Sequence, residues 1–385
     1  MILSKVGMAR RAKFWLFRVA YLFFTRMNSE SKCKKVLVTG DWSLTGGTGA
    51  FLIQVVEYLH SRGWTVVIHV PQGQPDPTAR VPKPTKIIPG RRRSVWGRML
   101  ELRGVLRRER PGLVVVTSGG FDLFNILSAY PIPAVNFVHS VLTGHQGHRE
   151  GWVLGRFGKS IDRIVAVSDY AREALATYLG DPGRAKVLRV YNGVPDRGLA
   201  TPGVEKTVCT IGHVVGYKNP ELWVKVAQKV LSDVRFAHWK FVWVGEGPQL
   251  DAMRRLVAEH DRIEFLGHRE DAVFLLSRST IYFHPSWVES FGLSVAEAMS
   301  FGIPCVVSQR AALTELIHEG VEGCLFNPDS PVEAQGALER LMTDPGLCDR
   351  LGRNARAAFL EKFDLKVWEG QMDALLAGRL PEETS

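Results

Sequence analysis

The chain alternates short apolar runs with longer segments of helical spacing. Short apolar runs bounded by turn residues are typical of buried strands, and apolar residues at every third or fourth position are typical of helices. In the first half, this pattern predicts helices over 50–63 and 94–109 and a Pro-rich basic loop at 71–93. Strands, some of them with the turn that follows, are predicted over 35–40, 64–70, 112–120, 134–139, 161–168 and 186–194.

The pattern restarts after residues 196–206, a stretch rich in glycine, proline and polar residues that predicts a linker. Strands are predicted over 207–212, 239–245, 262–267, 280–285 and 304–308, with helices between them. Repeated strand–helix units predict an α/β protein with a doubly wound parallel sheet in each half. We expect two such domains to face each other across a cleft, with ligand sites at the carboxyl ends of the strands.

The length of 385 residues also favours two domains, because one hydrophobic core stops growing near ~250–300 residues. We place the first domain at 31–198 and the second at 199–364, after a basic aromatic segment at 1–30. A last helix at 365–385 is predicted to pack back on the first domain.

The net charge of +10 is confined to two segments of the first third. Residues 1–35 carry a net charge of +8 and residues 80–110 a net charge of +9, so the rest of the chain sums to −7. A positive total invites nucleic acid, anionic lipid or an acidic substrate as partner. Because the body of the protein is mildly acidic, we favour contact of 1–30 and 80–110 with an anionic membrane surface and expect no nucleic acid. The alternative for 80–110 is a solvated basic helix and loop.

The segment 8–27 mixes arginine and lysine with phenylalanine, tryptophan and tyrosine. Its apolar stretch is too short to span a bilayer and is interrupted by Arg18, and no cleavage site of a signal peptide is visible. Basic and aromatic residues mixed in this way favour a helix that lies in the membrane interface. A disordered tail, or a true start at Met8, remains an open alternative.

The five cysteines are scattered and lack the spacing of a metal site. They predict reduced thiols in a cytoplasmic protein. No D-x-D sequence occurs, and His145 and His148 lie in a Gly-rich loop at 143–151 that favours a mobile acceptor loop over a metal site. We therefore expect neither a metal nor a cofactor.

A glycine-rich turn at 45–49 follows the first predicted strand and opens a helix. Glycines in this position let backbone amides approach an anion at the helix N-terminus. The turn lacks the full G-x-G-x-x-G pattern and the lysine of a phosphate-binding loop. A plain tight turn is an equally good interpretation.

The segment 284–308 carries two glutamates, Glu289 and Glu297, on either side of a predicted helix start. The pattern predicts Glu297 in the first helical turn and Glu289 in the loop ahead of it. Three backbone amides are expected to point into the same space, those of Phe291, Gly292 and Leu293. Amides beside a carboxylate can bind a phosphate and the hydroxyls of a sugar, but two acids that cap a helix would give the same spacing.

This segment resembles the E-x7-E signature of the retaining GT-B glycosyltransferases of family 4, also called group 1. The resemblance covers about residues 35–365 and is more specific in the second half. The matching residues of that half include Lys218, Gly245, Gly247, Pro285, Ser286, Glu289, Phe291, Gly292, Glu297, Gly302, Pro304, Glu315 and Gly323. Looser matches in the first half include Gly46, Gly47, His139, Asn192 and Gly193.

The resemblance implies a GT-B fold of two facing Rossmann-like domains, the first for the acceptor and the second for a nucleotide sugar. It implies that Glu297 holds the ribose hydroxyls of the donor, that Glu289 contacts the donor sugar and that Lys218 neutralises the diphosphate. The amides of 291–293 would bind donor phosphate or sugar.

In the first domain, the resemblance implies that Gly46 and Gly47 approach the diphosphate and that His139 lies near the reacting face of the sugar. One position departs from the family pattern, because His213 stands where an arginine is usual. A neutral imidazole offers one donor and no charge, whereas a guanidinium offers five donors and a fixed charge. Either His213 is protonated next to the phosphates or another cation takes the place of the arginine, so altered donor binding and weak activity both stay open.

The family implies transfer of a sugar from a nucleotide-diphosphate sugar to a glycan or a lipid-linked acceptor, as in bacterial polysaccharide or lipopolysaccharide synthesis. The basic segments favour a peripheral position on the inner face of the cell membrane. Two alternatives stay open, a sugar-nucleotide epimerase or hydrolase on the same fold and a non-catalytic membrane-binding relative.

Overall fold

A computed structural model describes residues 34–40, 42, 47–118, 132–139, 161–180, 187–201, 203 and 206–377. The predicted interfacial segment at 1–30 and the loop with His145 and His148 lie outside these residues. The chain divides into two compact units. The first unit holds most of the chain up to Val187, and the second holds 188–385 together with 140–142 and 166–175.

The first unit is built on a seven-stranded sheet with the order β3-β2-β1-β4-β5-β6-β7. The strands pair in parallel wherever their register is described, for example Leu37 with Val67 and with Val114. The bounds are β1 Lys35–Gly40, β2 Thr65–Val70, β3 Lys86–Pro89, β4 Leu113–Ser118, β5 Ala134–Val138, β6 Ile161–Ala166 and β7 Val187–Arg189.

The second unit is built on a six-stranded parallel sheet with the order β10-β9-β8-β11-β12-β13. The bounds are β8 Lys206–Ile211, β9 Trp239–Val244, β10 Ile263–Gly267, β11 Ile281–His284, β12 Cys305–Ser308 and β13 Gly323–Phe326. The α/β class with two parallel sheets, predicted from the strand pattern, is confirmed. The domain limits predicted from the sequence stay a prediction.

Helices lie between the strands in both units. Their bounds are Gly47–Ser61, Val95–Glu109, Asp169–Leu179, Pro220–Leu231, Leu250–Leu256, Ala272–Ser277, Leu293–Ser300, Leu313–Leu316, Pro331–Thr343, Pro345–Lys362 and Leu365–Leu376.

Two short strands were not predicted from the sequence pattern. β3 lies inside the stretch predicted as a loop at 71–93, and β13 was not predicted at all. Each has only four residues and occupies one edge of its sheet. An edge strand buries less apolar surface than a central one, so its hydrophobic run is short.

The order of the second sheet reverses at β8, which is flanked by β9 on one side and β11 on the other. Ile281 of β11 pairs with Val208 of β8. The carboxyl ends of parallel neighbours lie at the same edge, and loops that leave such a reversal point diverge and form a crevice. The loops after β8 and β11 therefore meet, although 71 residues separate Lys218 from Glu289.

Candidate active site

Lys218 is held by a tight turn directly after β8. A 3₁₀ turn spans Gly216–Lys218, and the next residue, Asn219, adopts a left-handed conformation with φ 58°. The side chain of Asn219 accepts a hydrogen bond from the amide of Leu222 and so caps the helix Pro220–Leu231. This local order fixes the direction in which the lysine leaves the backbone.

The loop that carries Lys218 is packed tightly against the loop after β9. The amide of Val214 donates to the carbonyl of Glu246 over 2.8 Å, and the indole of Trp243 donates to the carbonyl of Gly212 over 2.8 Å. A Cβ at Gly245 would lie 2.0 Å from that same carbonyl oxygen. Position 245 therefore requires glycine, since any side chain would push the two loops apart.

Glu289 is the centre of the site, and its carboxylate is almost buried. Its Oε1 atom pairs with Nζ of Lys218 and accepts a hydrogen bond from Ser286 Oγ over 3.0 Å. Nε2 of His284 lies 2.7 Å from the same oxygen. Burial by itself raises the pKa of this carboxyl, but Lys218 and His284 outweigh burial and hold the pKa well below its usual range.

The three backbone amides expected to lie near Glu289 are those at the start of the next helix. Gly292 precedes the helix Leu293–Ser300 with φ 104°, and a Cβ at this position would lie 3.1 Å from Leu313 Cδ2. In the described part of the chain, no backbone hydrogen bond leaves the amides of Phe291, Gly292 and Leu293. The start of a helix leaves such amides without intrahelical partners, and they favour an anion.

Glu297 lies deeper in the helix than predicted. It is the fifth residue of Leu293–Ser300 instead of a residue of the first turn, so it cannot cap the helix. Glu289 does not cap the helix either, because its hydrogen bonds go to side chains. Burial raises the pKa of Glu297 to about 6, and Arg197 opposes this shift only in part. A half-buried carboxylate with a raised pKa is typical of a functional position.

Replacement of Glu297 by glutamine is expected to stabilise the protein near pH 8. The pKa of Glu297 is raised above the unfolded value of 4.5 to about 6, so its ionised form destabilises the fold above pH 6. A shift of this size corresponds to up to about 2 kcal/mol of unfolding free energy. That cost disappears as the pH falls through 6, so the gain should be absent near pH 5. Thermal unfolding of Glu297→Gln at both pH values, with the exposed Glu259→Gln as control, measures the effect.

His213 projects from the Lys218 loop with an exposed side chain, and among the described residues nothing bonds to its ring. In the first unit, Gly47 is the first residue of the helix Gly47–Ser61, so the helix starts three residues earlier than predicted. Gly46 lies outside the described residues. His139 follows β5, its ring packs on Phe51 at 4.4 Å, and burial lowers its pKa to about 4. The Nε2 atom of His139 is buried and forms no hydrogen bond with any residue that the structure describes.

Glu315 supports the site from behind, a role that the spacing of acidic residues did not reveal. Its carboxylate accepts hydrogen bonds from the amides of Asp169 and Tyr170 over 2.9 and 2.7 Å and from the hydroxyl of Tyr191 over 3.0 Å. All four residues belong to the second unit. The short helix Leu313–Leu316 is thereby fixed under Gly292.

His284 is a further residue of the site, to which the sequence pattern assigned no role. It ends β11, where the alternation of a buried strand predicts only another core side chain. In the sequence, only the proline that follows it, Pro285, indicated that His284 lies at the end of the strand.

The described residues contain no cluster of histidine, cysteine and acidic side chains that could hold a metal ion. Cys209, Cys305, Cys324 and Cys348 are buried free thiols. Within the described ranges, no helix is long and apolar enough to cross a membrane.

Two family models match the chain in succession. The model described as Glycosyltransferase Family 4 matches residues 45–197, and the model described as Glycosyl transferases group 1 matches residues 196–358. The second match contains Lys218, Glu289, Glu297 and the three amides between the glutamates.

The chain is also similar, at low sequence identity, to individual proteins. The N-acetyl-alpha-D-glucosaminyl L-malate synthase of Bacillus anthracis is 27% identical over 164 residues, which span 42% of this chain and 43% of the relative. HepE of Anabaena, solved with UDP and glucose, is 17% identical, with a TM-score of 0.73 over 90% of this chain and 99% of HepE. WaaG, a glycosyltransferase of lipopolysaccharide biosynthesis, is 16% identical, with a TM-score of 0.69 over 89% of this chain and 100% of WaaG. At these identities the two solved structures show the shared fold.

Proposed function

Because the chain belongs to the group 1 glycosyltransferases of family 4 and has their GT-B fold, we propose that it is a retaining enzyme that moves a sugar from a nucleotide-diphosphate sugar. The observation that carries this assignment is the Lys218–Glu289 pair, followed at 291–293 by three backbone amides that make no hydrogen bond within the described part of the chain. A cation, amide donors and a carboxylate within one crevice match a diphosphate joined to a sugar.

The chemistry of the transfer requires that charge on the departing diphosphate be stabilised. Lys218 and the amides of 291–293 supply fixed donors at that place, and such preorganised groups lower the barrier without moving during the reaction. Glu289 accepts from hydroxyls of the donor sugar, and Glu297 accepts from those of the ribose. In this proposal, the leaving phosphate oxygen helps to take the proton of the acceptor on the same face of the sugar.

The donor we propose is a UDP-sugar, because HepE was solved with UDP and glucose. A panel of UDP-, GDP- and ADP-sugars tested by thermal shift identifies the nucleotide, since a ligand that binds only the folded state raises its apparent stability. The product is then analysed for the anomeric configuration of the transferred sugar. Transfer with inversion would contradict the retaining mechanism, and release of free sugar without transfer would favour a hydrolase.

We propose that the acceptor is a glycan or a lipid-linked glycan, by analogy with WaaG and its part in lipopolysaccharide biosynthesis. The helix Val95–Glu109 and the residues before it support a position on an anionic membrane. The two acidic side chains of residues 80–110 already have partners. Glu101 accepts hydrogen bonds from the backbone amides of Arg91 and Arg92, and Glu109 forms ion pairs with Lys35 and Lys86. The hydrogen bond from Lys86 lowers the pKa of Glu109 to about 2 although burial opposes the shift.

Most arginines of residues 80–110 have no acidic side chain as partner in the described structure. Those with an exposed side chain and no acidic partner in the described structure are Arg91, Arg92, Arg93, Arg98, Arg107 and Arg110. Two apolar side chains lie among them, Trp96 with 49% and Leu100 with 68% of their surface exposed. They are one helical turn apart and therefore share a face. On the helix, Arg107 shares this face and Arg98 does not. We call Trp96, Leu100, Arg107 and the exposed arginines before the helix, Arg91, Arg92 and Arg93, the arginine face, and its composition fits anionic headgroups above an acyl boundary.

The double substitution Trp96→Ser and Leu100→Ser is expected to lower binding to vesicles that contain phosphatidylglycerol by about thirtyfold or more, since the two large side chains together lose roughly 2–4 kcal/mol of burial. Flotation of wild type and variant measures the bound fraction. Val234→Ser with Val332→Ser, which removes two exposed apolar side chains of the second unit, is the matched control. Binding that is equal for all three proteins, or insensitive to salt, would contradict the arginine face as the contact surface.

A further inference from the structure

A buried polar chain lies behind the carboxylate of Glu289. His284, at the end of β11, is 1% exposed, and its Nε2 atom lies 2.7 Å from Glu289 Oε1. Ser286 is also buried, and its Oγ lies 3.1 Å from His284 Nε2 and 3.0 Å from Oε1. Histidine and serine therefore converge on one oxygen of the glutamate.

The other side of the imidazole is held as well. The hydroxyl of Tyr282 lies 3.3 Å from His284 Nδ1, and the two rings stack with centroids 5.8 Å apart. The oxygen of the same hydroxyl accepts a hydrogen bond over 3.3 Å from the amide of Ile211, the last residue of β8. The chain thus connects Glu289 to the backbone of the neighbouring strand.

The two oxygens of Glu289 are used unequally. Lys218, His284 and Ser286 all contact Oε1, whereas Oε2 has no hydrogen bond to any described residue. A carboxylate held through one oxygen keeps its orientation and leaves the other oxygen ready to accept from a ligand. Groups with rotamers locked by surrounding hydrogen bonds are the usual support of such a site.

We propose that His284 is a positioning residue that, with Tyr282 and Ser286, turns the Glu289 carboxylate so that Oε2 faces the sugar of the donor. This inference rests on the proposed function, because it assigns Oε2 to the donor sugar. Lys218 contacts the same oxygen but is assigned to the diphosphate. The His284 chain therefore holds Glu289 independently of where the lysine points.

The chemistry of the imidazole fits this role at neutral pH. Burial lowers the pKa of His284, with Lys218 adding to the shift and Glu289 opposing it, so the ring carries one hydrogen. With that hydrogen on Nε2, the ring donates to Oε1, and Nδ1 accepts from the hydroxyl of Tyr282. A leucine of similar volume at 284 would remove both interactions and release the carboxylate.

The test compares dissociation constants for UDP and for UDP-glucose, measured by calorimetry. His284→Leu is expected to raise the dissociation constant of UDP-glucose by about tenfold, because one hydrogen bond to a charged group is lost. The dissociation constant of UDP should change by less than about twofold. His284→Gln, which retains an amide donor, should recover most of the affinity for UDP-glucose. Tyr282→Phe removes a single oxygen atom and should fold even if His284→Leu does not. It should weaken the binding of UDP-glucose by about threefold and leave the binding of UDP unchanged.

His238→Leu, on the exposed surface of the same unit, is the matched control and should bind both ligands like wild type. Equal weakening of UDP and UDP-glucose in His284→Leu and Tyr282→Phe, or no weakening in either variant, would overturn the positioning role. Failure of the wild-type protein to bind either ligand would instead overturn the proposed donor, and this inference with it.

Discussion

Replacement of Glu289 by glutamine is expected to lower the rate of sugar transfer by at least about a hundredfold, the usual loss when a preorganised polar group at a reacting centre is removed. Glutamine keeps the volume of the side chain but removes its charge, which Lys218 now neutralises. The measurement is the initial rate of transfer with the donor that the nucleotide-sugar panel identifies.

The choice of glutamine over alanine follows from the burial of the pair. Loss of the whole side chain would leave Lys218 almost buried beside a cavity, and a broken buried pair costs several kcal/mol. An inactive alanine variant could therefore be unfolded. The exposed Glu270→Gln is the matched control, and equal thermal stability of the two variants within a few degrees is required. Transfer by folded Glu289→Gln at the wild-type rate would contradict contact between Glu289 and the sugar.

Replacement of Lys218 by methionine is expected to weaken UDP binding and to lower the transfer rate, each by about tenfold to a hundredfold or more. Methionine fills a similar volume without the charge that faces the diphosphate. Lys225→Met, on the exposed side of the helix Pro220–Leu231, is the matched control for the loss of one positive charge. Unchanged UDP affinity in Lys218→Met would move the diphosphate away from this lysine.

The ion pair also predicts how the two substitutions combine. Lys218→Met leaves the Glu289 carboxylate almost buried without its cation, so it should destabilise the fold by about 3–5 kcal/mol. Glu289→Gln removes the unpaired charge, so the double variant should be more stable than Lys218→Met alone. Urea unfolding of the four proteins gives this coupling, and strict additivity would show that the pair does not interact.

The strands that carry the site followed from hydrophobic runs alone. The predicted strands at 207–212 and 280–285 match β8 and β11 to within one residue at each end, because both are central strands with continuous apolar sequence. The loop positions of Lys218 and Glu289 followed from those ends. Edge strands β3 and β13 were missed, since a short strand with one neighbour leaves little periodic signal.

Local patterns could not place the partners of Glu289. The eight-residue spacing of Glu289 and Glu297 was compatible with capping of a helix, and only the start of the helix at Leu293 excluded it. Glu315 was recognised as an acidic position, but its hydrogen bonds to Asp169 and Tyr170 span more than 140 residues of chain. Contacts of this kind leave no trace in the spacing of neighbouring residues.

The sequence by itself determined the α/β class, the two parallel sheets, the family and the loops that carry its chemistry, because each depends on residues close together in the chain. Only the tertiary structure decided which groups share a site. The order of β8 beside β11 brings Lys218 to Glu289, and burial at the end of β11 places His284 behind the carboxylate. Strand order and burial arise from non-local packing, so the orientation of Glu289 became visible only in the folded chain.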